Sequence, residues 1–183
     1  MVEGIVGFSL DACLGAKWKA YCKIKKGWDG NSMKKPYFPL FTDISDKKIV
    51  VVGGGKIATR RVDTLLEFAD DISVAAPEAS KRIRKLAKEG YIVWKECAYQ
   101  AELLTGADLV LAATDDAACN EKIVEDCRAR GILVNTAHKK ELCDFYFPGI
   151  LRQEELVVGF GSNGMSHKKV REIREKMERM LRE

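Results

Sequence analysis

KIVVVGGGKIATRR, residues 48–61, is the stretch that decides the fold of this 183-residue chain. A run of β-branched apolar residues ends abruptly in three glycines, and a helical pattern of apolar residues follows at once. A strand, a glycine turn and a helix in this order form the phosphate-binding turn of dinucleotide-binding folds. A glycine-rich turn that only connects two elements is the alternative, but the flanking strand and helix favour the dinucleotide interpretation.

Each glycine of this turn has a predicted role in the pattern G-x-G-x-x-A. Gly53 lies at the tight turn, Gly55 lies where the backbone approaches a pyrophosphate, and Ala58 lies where helix and strand pack closely. The first helical turn directs unpaired N–H groups and the positive end of its dipole at the same point. We therefore predict that the cofactor is held by Gly53, Gly54, Gly55, Lys56 and Ile57.

From Tyr37 onward, short apolar runs alternate with amphipathic segments. Strands are predicted at about 48–53, 71–76, 91–94, 108–113 and 132–135. Helices are predicted at about 56–69, 78–88 and 117–130. This alternation predicts an α/β fold with a Rossmann-like doubly wound parallel sheet, in which ligands bind at the C-terminal ends of the strands.

The chain divides into three predicted regions. Residues 1–35 form an extension to which no function is assigned, with disorder as one expectation, and residues 36–147 form the dinucleotide-binding Rossmann domain. Residues 148–183 form a small C-terminal dimerisation region with a strand at 156–160 and a last helix that Ser166 caps. That helix carries one apolar stripe, which predicts a subunit contact and a homodimer; its members are Val170, Ile173, Met177 and either Met180 or Leu181.

Charge and composition narrow the class of protein. The net charge of +4 comes entirely from residues 1–35, which hold seven lysines and three acidic residues, and the remaining 24 basic and 24 acidic side chains balance. The folded body therefore gives no electrostatic reason to expect nucleic acid as a partner. No apolar run approaches the ~20 residues that span a bilayer, and no signal peptide is evident, so we expect no membrane partner and a cytoplasmic location.

Cysteine and histidine spacing gives no indication of a metal centre. The six cysteines form no C-x-x-C pair, and the two histidines lie far from any such spacing. No metal site is therefore predicted. The scattered thiols are expected to be small buried hydrophobes of a cytosolic protein.

The end of the second predicted strand borders the cofactor cleft. Dinucleotide-binding folds usually place an acidic residue there to bind the ribose hydroxyls. This chain has Ala76 and Pro77 instead, so the usual discriminator between NAD and NADP is missing. Lys81 and Arg82 either meet a 2′-phosphate or are simply solvated.

The end of the fourth predicted strand carries Thr114, Asp115 and Asp116. A hydroxyl at this edge could bind the cofactor, so Thr114 and Asp115 join Ala76 and Pro77 as cofactor-binding candidates. Either aspartate could instead cap the helix that follows. The carboxylates of Asp115 and Asp116 could therefore act in the site or cap the helix, and the sequence leaves both alternatives open.

The ordered set of motifs resembles a known family. From about Tyr37 to the C-terminus, the chain resembles the N-terminal module of siroheme synthase and the similar stand-alone precorrin-2 dehydrogenases. The motifs that carry the resemblance are Gly53-Gly54-Gly55 with Ala58 and Arg60-Arg61, Ala113-Thr114-Asp115-Asp116 with Asn120, Val134-Asn135, and Cys143-Asp144-Phe145-Tyr146-Phe147-Pro148.

This resemblance implies NAD-dependent oxidation of precorrin-2 to sirohydrochlorin, with ferrous iron insertion as a further activity of some relatives. The substrate is a tetrapyrrole with eight carboxylates, so it needs cationic groups and free backbone N–H donors. The candidates for substrate binding are Asn135, Ser162, Asn163, Gly164 and Lys168. A solvated helix end is the alternative for the last four.

One position departs from the family. Bifunctional relatives carry an aspartate a few residues after the fifth-strand asparagine, and this chain has His138 there. An imidazole with an ordinary pKa of ~6.5 can accept a proton near neutral pH. The catalytic candidates are therefore His138, Asp116 and Asp144, although His138 could be a surface residue beside two lysines and Asp144 could be structural. A non-catalytic dinucleotide-sensing domain and a tetrapyrrole-binding carrier are the competing functions.

Overall fold

The computed structural model of the chain describes residues 37–181, and the predicted extension at residues 1–35 lies outside this part. Pro39–Glu183 forms one compact unit. Within residues 37–181, no helix is both long enough and apolar enough to cross a bilayer.

A parallel sheet of five strands forms the centre of the unit, in the order β3-β2-β1-β4-β5. Its strands are β1 (Ile49–Val52), β2 (Ile72–Ala75), β3 (Val93–Lys95), β4 (Leu109–Ala112) and β5 (Leu133–Thr136). The chain moves outward from β1 to β3 and then returns to the other side of β1, which creates the switch point where such folds bind ligands. The predicted doubly wound α/β sheet is confirmed.

Helices cover both faces of this sheet. They are α1 (Lys56–Leu65), α2 (Lys81–Lys88) and α3 (Ala117–Ala129). Along β1, Ile49 and Val51 belong to the core beneath α1 and α2, whereas Val50 and Val52 belong to the core beneath α3. Because both faces of β1 are buried, the strand is apolar throughout rather than alternating.

Two helix boundaries differ from the predicted ones. The first helix ends at Leu65 rather than near residue 69, because the chain tightens into a turn in which Phe68 N–H donates to Leu65 O (2.8 Å). The second helix begins at Lys81 rather than 78, because Ser80 is its N-cap and the Ser80 hydroxyl accepts from Ile83 N–H (3.2 Å).

The C-terminal region contains a hairpin and a final helix. Strands β6 (Gly149–Gln153) and β7 (Leu156–Phe160) pair antiparallel, and α4 (His167–Met180) follows. The sequence predicted β7 but not β6. Ser166 caps α4 as predicted, accepting from Lys169 N–H at 3.2 Å. Two short 3-10 helices, Ala101–Leu104 and Lys140–Leu142, were also not predicted.

Helix α4 packs against β6 by only part of its apolar stripe. A Cβ built on Gly149 would lie 2.9 Å from Cγ1 of Val170, so the helix contacts the strand directly at this point. No side chain of α4 is buried, and Ile173 and Met180 are 44% and 61% exposed. Val170 therefore packs inside the unit, whereas the other side chains of the stripe are exposed or half-buried.

Candidate cofactor and substrate site

The glycine turn after β1 makes two close backbone approaches. Gly53 has a φ of +119°, and a Cβ built on it would lie 2.3 Å from the carbonyl oxygen of Ala113. A Cβ on Gly54 would lie 2.0 Å from the carbonyl oxygen of Glu78. Only glycine lets the turn lie against both the end of β4 and the loop after β2.

Gly55 is different, because a Cβ built on it would meet no atom within 4 Å. It is the N-cap residue of α1 and supplies no side-chain cap, and the first turn of α1 carries no acidic residue. The first helical bond runs from Thr59 N–H to Gly55 O (3.0 Å), so the preceding N–H groups have no partner within the helix. The turn therefore leaves an open, electropositive space that fits a pyrophosphate.

The loop after β2 braces the glycine turn. Ser80 N–H donates to Gly54 O (2.9 Å), and the hydroxyls of Ser80 and Thr59 lie 2.8 Å apart. Ala76 is buried and its carbonyl accepts from the Trp94 indole N–H (3.1 Å), whereas Pro77 is exposed at the rim. Ala76 and Pro77 therefore lie beside the glycine turn, and their contact with the cofactor stays a prediction.

The two cations proposed for a 2′-phosphate have different surroundings. Arg82 Nε donates to the Asp63 carboxylate at 2.8 Å, so its charge is already paired. Lys81 is exposed at the start of α2. The ion pair with Asp63 makes Arg82 a poor candidate for binding a 2′-phosphate.

The loop after β4 is held together by its own side chains. The Asp116 carboxylate accepts from the N–H groups of Ala118 (2.8 Å) and Cys119 (3.2 Å), so the capping alternative is confirmed for this residue. Thr114 donates its hydroxyl proton within the loop, to Asp116 O and Asn120 Oδ1 at 2.9 Å each. Asp115 is exposed at the same edge.

Asn120 is the buried brace of this loop and had no predicted role of its own. Its side chain is 0% exposed, accepts from Thr114 N–H (3.1 Å) and donates to Thr114 O (3.0 Å). Its position four residues after the helix cap was a visible signal, because a polar side chain there faces back toward the loop.

Segment 143–148 runs beside β5. Asp144 N–H donates to Val134 O (2.8 Å), and Val134 N–H donates to the Asp144 carboxylate (3.0 Å). The Cys143 thiol donates to Thr136 O (3.2 Å) and accepts from Thr136 N–H (3.3 Å), and burial raises the thiol pKa. Both residues bind strand backbone, which favours the structural alternative for Asp144.

Asn135 is committed to an internal bridge. Its amide donates to Phe145 O (2.6 Å) and its side-chain oxygen accepts from Arg61. The Arg61 guanidinium also lies 4.9 Å from the centroid of the Phe147 ring, and burial lowers its pKa. The structure thus joins α1, β5 and the aromatic segment through Asn135, and a substrate contact of this side chain stays a prediction.

His138 lies just beyond the carboxyl end of β5. Val52 pairs with Ala112, which pairs with Thr136, so the ends of β1, β4 and β5 share one edge of the sheet. The His138 side chain is 24% exposed, and its Nδ1 lies 2.8 Å from the Thr136 hydroxyl. The structure therefore brings His138 to the edge that also carries the glycine turn and Thr114.

The polar turn before α4 combines left-handed backbone with a nearby cation. Asn163 and Gly164 have φ angles of +52° and +72°, and the Ser162 hydroxyl accepts from Ser166 N–H (3.0 Å). A Cβ built on Gly164 would lie 3.7 Å from Nζ of Lys140. Lys140 was not selected from the sequence, because only the fold brings the loop after β5 to this turn.

Lys168 lies in the first turn of α4 and is largely exposed, 3.9 Å from the Glu172 carboxylate. An exposed pair of this kind contributes little to stability. Among residues 37–181, no three His, Cys, Asp or Glu side chains come together in a way that could hold a metal ion.

Comparison with known proteins identifies the domain. Residues 40–149 match the family described as "Putative NAD(P)-binding". The chain belongs to this NAD(P)-binding family. The open space at Gly55 and the unpaired N–H groups of α1 are the features that this family membership leads one to expect.

Relatives of known pathway agree with the resemblance predicted from the motifs. A probable multifunctional siroheme biosynthesis protein of Ruminiclostridium josui is 40% identical over 144 residues, which are 78% of this chain and 28% of that protein. Siroheme synthase 1 of Serratia proteamaculans is 37% identical over 145 residues, 79% of this chain and 30% of that protein. The chain thus spans less than a third of the length of the curated relatives it matches.

A solved structure is also similar. SirC, a precorrin-2 dehydrogenase, aligns with a TM-score of 0.69 and 26% sequence identity, covering 77% of this chain and 69% of that chain. Together with the sequence relatives, this similarity confirms the predicted resemblance to the siroheme synthase module and precorrin-2 dehydrogenases.

Proposed function

We propose that this chain catalyses the NAD-dependent oxidation of precorrin-2 to sirohydrochlorin. The observation that carries the proposal is the meeting of the glycine turn, Thr114 and His138 at one edge of the parallel sheet, in a chain similar to a precorrin-2 dehydrogenase. A hydride acceptor and a proton acceptor have to face one substrate in a dehydrogenation. This edge offers a place for each.

The cofactor would lie on the glycine turn. Gly53 and Gly54 bring the backbone into place, and the space at Gly55 with the N–H groups of Lys56 and Ile57 would hold the pyrophosphate. Bound NAD supplies the hydride acceptor. The pairing of Arg82 with Asp63 favours NAD over NADP, because it removes one of the two cations available for a 2′-phosphate.

The chain's own side chains would bind the substrate and take its proton. The turn Ser162–Gly164 with Lys140 and the first turn of α4 offers N–H donors and positive charge to the substrate carboxylates. His138 would accept the proton that leaves the substrate when the hydride departs. Asp116 and Asp144 are engaged in capping and strand pairing, so His138 is the favoured base.

The direct test incubates the full chain with precorrin-2 and NAD and follows NADH formation together with the sirohydrochlorin spectrum. Turnover is the expected result. Binding of NAD without turnover would contradict the proposal and favour the dinucleotide-sensing alternative.

The His138→Ala variant should lose about 100-fold in kcat, because general-base catalysis typically contributes 10²–10⁴-fold. Its affinity for NAD should be unchanged, since the pyrophosphate turn is formed by other residues. Steady-state kinetics and NAD titration measure the two quantities. Glu141→Ala, at an exposed position of the same loop, is the matched control and should turn over normally. A full-rate His138→Ala variant would remove the residue from the mechanism.

We also propose that the chain forms a homodimer through β7 and α4. Leu156 and Val157 on β7 are 48% and 36% exposed, and Ile173 on α4 is 44% exposed. Large apolar side chains that stay exposed on a hairpin, and on the helix that packs against this hairpin, are candidates for a subunit contact. They support the dimerisation role predicted for residues 148–183.

An Ile173→Glu variant should be monomeric at micromolar concentration, whereas the unmodified chain should sediment as a dimer. The substitution should not impair folding, because no side chain of α4 is buried. Lys88→Glu, a charge change at the exposed end of α2, is the control and should leave the dimer intact. A monomeric unmodified chain in sedimentation would refute the dimer.

A cytoplasmic location is proposed as well. Cys97, Cys119, Cys127 and Cys143 are free thiols, which supports a reducing compartment. Cys127 is fully buried among apolar side chains, as expected of a small hydrophobe, whereas the other three are only half-buried.

A further inference from the structure

We infer that Glu121 is a positioning residue that acts through His138 and stabilises the charged imidazolium formed when His138 takes the substrate proton. This inference rests on the proposed function. It assigns a role to a side chain on α3 that belongs to no sequence motif identified above.

The geometry at the two ring nitrogens carries the inference. Nδ1 of His138 lies 2.8 Å from the hydroxyl of Thr136, and Nε2 lies 3.6 Å from the carboxylate of Glu121. A separation of 3.6 Å is too long for a hydrogen bond. Nε2 is therefore held near the carboxylate without a hydrogen bond to it, and in the tautomer whose Nδ1–H donates to the Thr136 hydroxyl oxygen it carries the lone pair that can accept a proton.

Thr136 fixes the other side of the ring. The residue is 4% exposed, and its backbone N–H and C=O are both bound by the Cys143 thiol. Because the backbone of Thr136 is held in this way, its hydroxyl stays in one place and fixes the orientation of the His138 ring. The neighbouring Cys143 thiol stays protonated, because burial raises its pKa, and it adds no charge beside the ring.

Two charged groups contact this arrangement, one from α3 and one from the loop of His138 itself. The Lys139 amine lies 3.2 Å from the Glu121 carboxylate and, as its hydrogen-bond donor, lowers the pKa of Glu121. The carboxylate is therefore ionised at neutral pH. Lys139 also opposes the effect of Glu121 on the ring, since its positive charge repels an imidazolium.

The proton step follows from these contacts. Oxidation removes two hydrogens from the substrate: one leaves with its bonding pair as the hydride that NAD accepts, and the other leaves as a proton. That proton forms a new N–H bond with the lone pair of Nε2. Both N–H groups of the resulting imidazolium then face an oxygen, Nδ1–H facing Thr136 and Nε2–H facing Glu121. The protonated ring is thus stabilised more than the neutral one.

The test compares Glu121→Gln with Glu125→Gln, an exposed glutamate one turn further along the same helix. Glu121→Gln should lower kcat by about 3–10-fold and should move the acidic limb of the kcat/KM profile to lower pH, because the imidazolium loses the negative charge that faces it. Lys139→Ala should move the limb to higher pH. Glu125→Gln should match the unmodified enzyme in both quantities.

Thr136 offers a conservative pair for the same test. Thr136→Ser keeps the hydroxyl and should retain most of the activity, whereas Thr136→Val keeps the shape and should lose about tenfold, less than the loss of the base itself, because the ring is still present but is no longer oriented. Equal activity in the two variants would overturn the role of the hydroxyl in orienting the ring.

A readout in the free protein separates this inference from the proposed reaction. The chain has only two histidines, so His167→Gln assigns their ring resonances in an NMR titration. The His138 ring should titrate at lower pH in Glu121→Gln than in Glu125→Gln, even if precorrin-2 is not the substrate. An unchanged titration would overturn the coupling of Glu121 to His138. A shifted titration with unchanged turnover in Glu121→Gln would overturn the catalytic role of Glu121, whereas the role of His138 as base is overturned only by a full-rate His138→Ala variant.

Discussion

Replacing Gly55 with aspartate should lower the affinity for NAD by at least about 100-fold, because a carboxylate within ~4 Å of a pyrophosphate costs several kcal/mol in a partly desolvated site. The fold should be preserved, because a Cβ at this position meets no atom within 4 Å. Stability should even rise slightly, since aspartate is a better N-cap than glycine by a few tenths of a kcal/mol. Calorimetric titration with NAD and thermal unfolding measure the two opposite effects.

Gly55→Asn is the control for this substitution. It adds a side chain of the same size that also caps α1 but brings no charge. Its loss of affinity should be much smaller than that of Gly55→Asp. Wild-type affinity in Gly55→Asp would show that the pyrophosphate does not bind at this turn.

Gly53→Ala should destabilise the fold by about 3 kcal/mol or more, because strain from a positive φ and a backbone overlap add to one another. The new Cβ would lie 2.3 Å from Ala113 O, an atom fixed by the pairing of β1 with β4, so no flexible side chain can yield. Urea unfolding followed by circular dichroism measures the change in the free energy of unfolding.

Gly131→Ala separates the two causes of that loss. Gly131 also has a positive φ, +68°, but a Cβ there would meet no atom within 4 Å. This variant should therefore lose only the conformational cost, about 1 kcal/mol. An equal loss in the two variants would mean that backbone conformation, and not the contact between β1 and β4, requires glycine at position 53.

The sheet was predictable because its signals are local. An apolar strand, three glycines and a helix identify β1 and α1, and the repeated alternation of strands and helices predicts a parallel sheet. Strand β6 was missed because it follows a proline, begins with a glycine and has no clear alternation of apolar and polar residues. The start of α2 was placed too early although Ser80, a good N-cap, was visible in the sequence.

The role of a site residue was predictable only where the residue and its partner lie in the same short segment. Asp116 caps the helix directly after it, and that alternative could be stated from sequence alone. The bridge from Arg61 to Asn135 spans 74 residues, and the approach of Glu121 to His138 depends on how α3 packs against β5. No local pattern encodes such pairs, because they exist only once the sheet has brought distant segments together.

The pairing of segment 143–145 with β5 has a consequence for how the molecule avoids aggregation. β5 is an edge strand, and an open edge is a template on which another chain can add a strand. Here the outer N–H groups of Val134 and Thr136 are already taken by a carboxylate and a thiol. The side chains of Asp144 and Cys143 make the hydrogen bonds that the backbone of an added strand would otherwise make, so no further strand can pair with β5. Replacing Asp144 would therefore expose the unpaired edge of β5, and the protein would lose solubility through aggregation before it lost activity.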